Sequence, residues 1–403
     1  MAQVEVPSTN GSGKSVAEVS QATEGDTNNA VAAAKAAFPA WRDRSPADRG
    51  AYLHKPAVLI RENNDEFARL EALSTGRPVS QYFDATVSAD TFSYFAEAGW
   101  TVQGTSSLNT PGHLNMTVKQ PYGVVACIIP WKVPMAFFAF KVAPAPAAGI
   151  TVVLKSSEKA PLTSALAATL IAKAGFPPGV VNILSGFGTP AGNTLASHMD
   201  IVHMELGGKS PALIFEDADL ENTAQATQFS IQCLSGQTCM ANSRIYVQES
   251  VADKFLALFK EKFGSAVDGL QYERVKSYIT IGEQDGKLSM GGDAGNGYFI
   301  KPTVFESVPE DSLIVKGEVF GPVVVINAFK TEEEAIKKVN ASEFGLYASV
   351  FTKDLDRAVR TSKLLELALL DMPFGGYKMN GVGREGFMHS LDNFLETKTI
   401  LIR

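Results

Sequence analysis

The sequence predicts an α/β protein built from two doubly wound domains with a small β arm. Three observations carry that prediction. From Asp26 onward helical patterns alternate with short apolar runs, the order that parallel strands joined by crossover helices leave in a chain. Two of those runs, Gly123 to Ile129 and Thr151 to Lys155, are short, apolar and rich in β-branched residues, as strands buried on both faces should be. The 403 residues are enough for two or more domains with a large core.

The elements follow in order. Asn28 to Trp41 is alanine-rich and predicts the first helix, with Asp26 or Thr27 as its cap. Ala47 to Asn63 predicts a second, kinked at Pro56 because proline lacks the N–H and crowds the preceding turn. Asp65 to Ser74 predicts a third. Leu162 to Ala174, closed by Gly175, is a crossover helix that leads into a strand from Val180 to Leu184. This βαβ unit brings Lys155, Ser156 and Glu158 to the carboxyl end of a strand, where doubly wound sheets bind nucleotides. A solvated ion pair at a helix start is the plainer account of Lys155 and Glu158.

A second α/β region runs from about Leu206 to Glu385. It predicts helix Ala218 to Leu234, strand Arg244 to Val247, helix Val251 to Phe263 and a glycine-rich hairpin around Gly291 to Gly297. Strand Val323 to Phe329, helix Glu332 to Val339, strand Tyr347 to Phe351 and helix Leu355 to Leu367 complete it. Leu114 to Gln120 and Thr397 to Arg403 alternate apolar and polar residues as exposed strands do.

Composition narrows the function. A net charge of -7, with no run of lysines or arginines, gives no footprint for nucleic acid or an anionic membrane, and small-molecule chemistry is expected. The three cysteines, Cys127, Cys233 and Cys239, match neither a zinc site nor a disulfide framework, so no metal and a reducing compartment are expected. Met1 to Asn10 has no apolar signal core, and the most apolar stretch, Met135 to Ile150, is broken by Lys141, Pro144 and Pro146. A cytoplasmic protein is the expectation. Gly186-Phe187-Gly188 and Gly207-Gly208 are weak signals, since glycine pairs mostly mark turns or close packing, and no G-x-G-x-x-G follows a strand.

Two residues carry chemistry. Cys239 lies 34 positions after Glu205. A thiolate adds to a carbonyl far better than water does, and the resulting thiohemiacetal can reduce a nicotinamide. Hydride loss leaves a thioester, which a carboxylate can hydrolyse by deprotonating a water, provided burial raises its pKa toward neutrality. Ser235-Gly236 stops the preceding helix, so Cys239 is expected on a turn with its sulfur accessible. A buried core cysteine is the plainer account of a lone thiol.

Six segments, in order and over almost the whole chain, then add a resemblance. They are Pro130-Trp131-Lys132-Val133-Pro134, Lys155-Ser156-Ser157-Glu158, Glu205-Leu206-Gly207-Gly208-Lys209-Ser210-Pro211, Gln232 to Arg244, Gly317-Glu318-Val319-Phe320-Gly321-Pro322-Val323, and Pro373 to Glu385. Together they resemble the aldehyde dehydrogenase superfamily. The resemblance implies that fold, an aldehyde substrate, and NAD or NADP as cofactor. It implies Cys239 as nucleophile and Glu205 as general base. Lys155 and Glu158 would hold the adenine-side ribose, Glu318 and Phe320 would flank the nicotinamide ribose, and Gly188 would join the cofactor site, which in this superfamily does not rely on the missing fingerprint. The two alternating strands would form an arm that joins subunits in a homo-oligomer. The implied domains are 1–111 with 121–205 for cofactor, 206–385 for catalysis, and 112–120 with 386–403 for oligomerisation.

The chain also departs from that pattern. Family members carry a strand, a Phe-Thr-Gly-Ser turn and a helix before the strand leading into the glutamate; here Asp200-Ile201-Val202-His203-Met204-Glu205 runs straight through. The missing turn supplies backbone donors to the cofactor pyrophosphate, and the missing strand leaves its neighbours to close the gap or stay exposed. Material is also expected to be lost between Phe263 and Gln271, between Ala368 and Asp371, and at the N-terminus, where the first strands of the fold are expected to be absent. Lys132 stands where the family has an asparagine that donates to the oxyanion. Its ammonium is either a substitute donor that also lowers the pKa of Cys239, or an obstruction in the aldehyde's place. Phe92, Trp100, Phe138 and Met240 are candidates to line the aldehyde tunnel, with core packing as the plainer account. The alternative function is a catalytically impaired paralogue that binds an intact dehydrogenase through the strand arm. An acylating dehydrogenase is disfavoured because Glu205 supplies a hydrolytic base.

Overall fold

The computed structural model describes residues 3–7, 15–199, 201–263, 272–293, 300–365, 374–381, 383–386 and 388–403. Two compact units emerge, one of Met1–Ser8, Gly13–Glu205 and Arg384–Arg403, the other of Thr9–Ser12 and Leu206–Gly383.

The first unit begins with β1 (Gln3–Pro7) paired antiparallel to β2 (Ser15–Ser20). The expectation that the first strands are absent is therefore corrected. Val4-Glu5-Val6 and Ala17-Glu18-Val19 alternate apolar and polar residues with the period of a strand, a signal too short to stand out from the polar residues around it. Helix α1 (Glu24–Arg42) is capped by Thr23, not by Asp26 or Thr27. Asp26 N donates to Thr23 Oγ1 at 3.2 Å while Thr23 N donates to Asp26 Oδ2 at 2.9 Å, so Asp26 is the reciprocal partner in a capping box. Helix α2 (Pro46–Glu62) starts at Ser45, with proline in the first turn, and continues through the buried Pro56. Helices α3 (Asn64–Thr75) and α4 (Asp84–Ala98) follow, the former closed by Gly76 at φ 77°.

After the short β3 (Ser106–Ser107) and β4 (Leu114–Pro121), the chain alternates through β5 (Val124–Ile128), α5 (Pro134–Val142), α6 (Pro144–Ala147), β6 (Thr151–Ser156), α7 (Leu162–Lys173), β7 (Val181–Ser185), α8 (Asn193–Ser197) and β8 (Val202–Met204). The strands form a parallel sheet in the order β7-β6-β5-β8. Every residue of the central β6 is buried. Strand β8 pairs directly with β5, Cys127 opposite His203 and Ile128 opposite Met204.

The second unit contains β9 (Pro211–Ile214), α9 (Leu220–Gln232), β10 (Arg244–Gln248), α10 (Ala252–Lys262), α11 (Tyr272–Asp285), β11 (Lys287–Met290), β12 (Thr303–Glu306), α12 (Leu313–Lys316) and β13 (Val323–Phe329). It ends with α13 (Glu332–Asn340), β14 (Phe344–Gly345), β15 (Ser349–Phe351), α14 (Leu355–Leu364) and β16 (Tyr377–Lys378). Its six-stranded sheet has the order β11-β12-β13-β10-β9-β15, parallel except for the antiparallel pairing of β11 with β12. Helix α9 starts later than expected because Asp219 caps it, and it gives way at Cys233 to a tight turn in which Leu234 and Ser235 have φ of 54° and 55°. Strand β15 begins at Ser349, two residues after the predicted start. Residues 294–297 of the predicted hairpin, and the segments after Phe263 and around Ala368 to Asp371 where material is expected to be lost, lie outside the described residues.

The arm sheet belongs to the first unit. After α15 (Met388–Asp392), strand β17 (Leu395–Ile402) pairs antiparallel with β4 from Leu395 opposite Pro121 to Ile402 opposite Leu114, and β3 lies on the other side of β4.

Candidate functional site

In the first unit, Glu205 follows β8 directly and meets Lys141 from the last turn of α5. Lys141 Nζ donates to Glu205 Oε1 at 2.8 Å and also to Glu385 Oε1. The Lys141 side chain is only 2% exposed, against 16% for Glu205 and 21% for Glu385. Burial alone would lower the lysine's pKa, but Glu385 and then Glu205 outweigh it and hold the ammonium charged. Burial likewise pushes the Glu385 carboxyl up, and Lys141 with His203 brings it down to about 2. His203, two residues before Glu205, has Nδ1 3.9 Å from Glu385 and its ring stacked on Phe394 at 4.6 Å. A buried ammonium thus lies against Glu205 and is shared with Glu385. Sequence reasoning missed Lys141 and Glu385. The available signal was a lysine inside an apolar helix, which burial tolerates only with a counter-ion.

Lys132 sits just before α5 and is 7% exposed, with Nζ 5.0 Å from the centre of the Phe137 ring. The next residue, Val133, has φ 38° and ψ 52°, a left-handed conformation that is costly for a β-branched side chain and doubly so before Pro134. Strain of this kind persists where the surroundings over-determine a position. Lys155, near the carboxyl end of β6, donates from Nζ to Ser156 O at 2.8 Å and to Gly186 O at 2.6 Å, and lies 3.9 Å from Glu158 Oε2. Burial lowers its pKa, opposed by Glu158. Gly188 opens a single irregular turn, and a Cβ there would meet nothing within 4 Å, so the position does not demand glycine for space.

In the second unit, Cys239 lies on the turn after α9, but it is 5% exposed. The expected accessible sulfur is corrected to a buried residue because its backbone is packed from behind. Ser210 Oγ donates to Cys239 O at 3.0 Å, and a Cβ on Gly208 would fall 2.4 Å from that oxygen. Glu318 is held by the same loop: its Oε1 accepts from Gly208 N at 2.8 Å, and a Cβ on Gly207, at φ 86°, would fall 2.4 Å from Oε2. The two glycines that read as weak signals are therefore each required, one by Glu318 and one by Cys239. Phe320 adopts φ 60°. Between these groups Lys209 donates to Ile314 O at 2.8 Å, and burial, then Arg244, lower its pKa to about 7 against the pull of Glu318.

The tunnel candidates separate. Phe92 and Phe138 are fully buried in the helical core of the first unit, their rings 6.5 Å apart, while Trp100 is 58% exposed. Met240 lines a cavity of about 630 Å³ in the second unit.

The Aldehyde dehydrogenase family profile matches residues 2–203 and 196–400. The chain belongs to the aldehyde dehydrogenase family. The two matched stretches overlap at residues 196–203. An aldehyde dehydrogenase of Davidiella tassiana is 41% identical over 446 aligned positions, covering 96% of this chain and 90% of the relative. Those 446 positions exceed the 403 residues here, so the relative carries residues within the match that this chain lacks. Aldehyde dehydrogenase [NAD(P)+] 1 of Saccharomyces cerevisiae is 38% identical, covering 97% and 90% of the two chains. The crystal structure of PnpE in complex with nicotinamide adenine dinucleotide is similar at a TM-score of 0.94 and 33% identity, covering all of this chain and 94% of the other. With relatives of this identity over most of its length, the chain is an oxidoreductase of the aldehyde dehydrogenase class. Among the described residues no helix is long and apolar enough to cross a membrane, and no cluster of three metal-ligating side chains occurs.

Proposed function

We propose that this chain oxidises an aldehyde to a carboxylic acid, with Cys239 as nucleophile, Glu205 as hydrolytic base and NAD or NADP as hydride acceptor. The observation that carries the reading is the Lys141–Glu205 pair: a carboxylate fixed at the end of a strand by a buried ammonium is a positioned proton acceptor. The names of a yeast relative and of a structural neighbour support the cofactor.

The residues present fit the ribose end of such a cofactor. An ammonium has three N–H donors. Lys155 directs two at carbonyls, which leaves one for a ligand hydroxyl beside the partly exposed acceptor Glu158. Gly188 would lie along the same site, and Glu318 with Phe320 would face the second ribose. When bound, NAD or NADP would supply the hydride acceptor for the oxidation.

The chain's own residues do the rest. The Cys239 thiolate forms a C–S bond to the carbonyl carbon, and the electron pair moves to oxygen. Lys132 donates to that oxyanion in place of an amide. After oxidation to the thioester, Glu205 takes a proton from a water whose oxygen attacks the carbonyl carbon; the C–S bond breaks and the thiolate is restored. One aldehyde, one water and one oxidised cofactor become one acid, one reduced cofactor and one proton. The first unit serves the cofactor and the second the thiol. The β17-β4-β3 sheet, which exposes Leu401 and Ile402, joins subunits of a cytoplasmic homo-oligomer.

Single-turnover and steady-state formation of reduced cofactor test the reading. Cys239→Ser should abolish both, while Glu205→Gln should keep the first turnover and lose about a hundredfold or more in steady state. Wild-type rates in Cys239→Ser would refute it.

A further inference from the structure

One peptide group of the second unit is held at both ends by side chains that arrive from distant parts of the chain. Asn380 Nδ2 donates to Gly207 O, and Gly208 N donates to Glu318 Oε1 at 2.8 Å. Gly207 O and Gly208 N belong to the same peptide bond. A peptide is planar, so fixing the direction of its C=O fixes the direction of its N–H. Gly207 has φ 86°, and a glycine sets that plane only weakly by itself, so the two side chains supply what the backbone leaves open.

Asn380 is itself anchored. Its Oδ1 accepts from Gly345 N, so the two ends of the amide meet an N–H and a carbonyl, and only this orientation satisfies both. Strand β14 pairs with β16, Phe344 opposite Lys378 and Gly345 opposite Tyr377, and Asn380 follows in the turn. Met379 N donates to Glu343 O at 3.1 Å, Asn380 N to Tyr377 O at 3.2 Å, and Lys378 Nζ to Asn340 O at 2.8 Å and Ser342 O at 3.1 Å. Gly381 then approaches Leu206, where a Cβ on the glycine would fall 3.3 Å from Leu206 Cδ1. The carboxamide is thus carried on a braced turn that rests against the loop leading into Gly208. Linked hydrogen bonds polarise one another, so a donor on Gly207 O also strengthens the N–H that meets the Glu318 carboxylate.

We infer that Asn380 is a positioning residue: through the Gly207–Gly208 peptide it aims an N–H at Glu318 and so sets the direction of that carboxylate. Its use in the reaction rests on the proposed reading that Glu318 faces a ribose of the cofactor; the aiming itself does not. Two measurements keep these apart. The first is amide hydrogen exchange at Gly208 and Gly345 in the cofactor-free protein. Asn380→Asp has the same size and still accepts from Gly345 N, but at neutral pH it has no hydrogen to give to Gly207 O. Gly208 should then exchange about fivefold to tenfold faster, while Gly345 stays within about twofold of wild type. A turn that had only loosened would free both amides. Asn380→Ala should free both, and Glu318→Ala should free Gly208 alone. Unchanged exchange at Gly208 in Asn380→Asp and Asn380→Ala would overturn the inference. The second measurement is KM for NAD against kcat with propanal. Asn380→Asp should raise KM by about tenfold and change kcat by less than about threefold. In a Glu318→Ala background the same substitution should add less than about twofold, because it acts through that residue. Full additivity of the two substitutions would overturn a role through Glu318. If exchange at Gly208 responds as expected but neither Asn380→Asp nor Glu318→Ala moves KM, the aiming stands and the cofactor role of Glu318 falls.

Discussion

Lys141 Nζ lies 2.8 Å from Glu205 Oε1 while the same ammonium also holds Glu385, so one buried cation serves two carboxylates that are 64 and 244 positions away in the chain. Removing it would leave two like charges facing each other with little water to screen them. Lys141→Met should therefore cost about 3–5 kcal/mol of stability and should slow thioester hydrolysis more than the first hydride transfer. Denaturant melts and single-turnover kinetics on the same variant check both parts. Lys141→Met that melts like wild type would show that the pairing does not hold the first unit together.

Two groups of that unit set opposite slopes of stability with pH. Glu385 falls from an ordinary 4.5 to about 2, so it binds fewer protons folded than unfolded; the stability it contributes is present above 4.5 and lost as pH falls toward 2. Glu71 behaves in the reverse sense. Arg77 Nη1 reaches Glu71 Oε1 at 2.9 Å and Asp84 Oδ1 at 2.7 Å, and all three side chains are buried. Burial, and then the neighbouring Asp84, raise Glu71 from 4.5 to about 8, so the folded state holds a proton that the unfolded state releases, and stability declines from pH 4.5 to 8. Urea melts from pH 3 to 8 should show the maximum near pH 5 as far as these groups set it. Glu71→Gln, which keeps a partner for Arg77, should flatten the upper limb; an unchanged upper limb would show that Glu71 is ionised in the fold.

The three thiols should differ in reactivity. Cys127 is fully buried in β5, and burial pushes its pKa from 9.0 to about 12, which lowers its thiolate fraction about a thousandfold. Limiting iodoacetamide with peptide mapping should leave Cys127 unmodified until the chain is unfolded, and label the half-buried Cys233 before it. Labelling of Cys127 at the Cys233 rate would mean that the β5 core opens readily.

How much was legible in the sequence depends on how local each cause is. Val323 to Phe329 reads as a strand residue for residue because a run of β-branched side chains needs no distant partner. The Thr23 cap is also local, yet Asp26 conceals it, since an aspartate there can be cap or reciprocal partner. Lys141 is illegible for the opposite reason: nothing near it in sequence explains a charge inside an apolar helix, and both partners arrive through the fold. Cys239 is legible as a candidate from its thiol and the turn around it, but the packing of Gly208 and Ser210, some thirty positions earlier, against its carbonyl is not. The six-segment pattern was sufficient for the family and silent on these contacts.

Cofactor affinity should be weak. On the proposed reading, no Phe-Thr-Gly-Ser turn precedes Glu205 to meet the pyrophosphate, and binding would rest on ribose contacts at Lys155, Glu158 and Glu318. Calorimetric titration with NAD and with NADP is expected to give poor affinity for both. Submicromolar binding of either would mean that another phosphate site replaces the missing turn.

On the proposed reading, Lys132 would decide how the oxyanion is met. It is buried, its ammonium lies over the face of Phe137, and Val133 beside it is held in a left-handed conformation, so the side chain leaves the backbone from a constrained position. As an oxyanion donor, its loss in Lys132→Ala should cost about 3 kcal/mol of transition-state stabilisation, roughly a hundredfold in rate. Lys132→Asn puts an amide there instead and should change the rate by less than about tenfold. If the lysine obstructs the aldehyde, the order reverses: wild type is nearly inactive, and Lys132→Asn raises oxidation to a measurable rate. Hydride transfer alone would confuse a blocked pocket with a poor cofactor site, so the same three proteins are compared on an activated ester, which needs the thiol and no cofactor. Inactivity of all three in both assays would argue that Cys239 is not a working nucleophile in this chain.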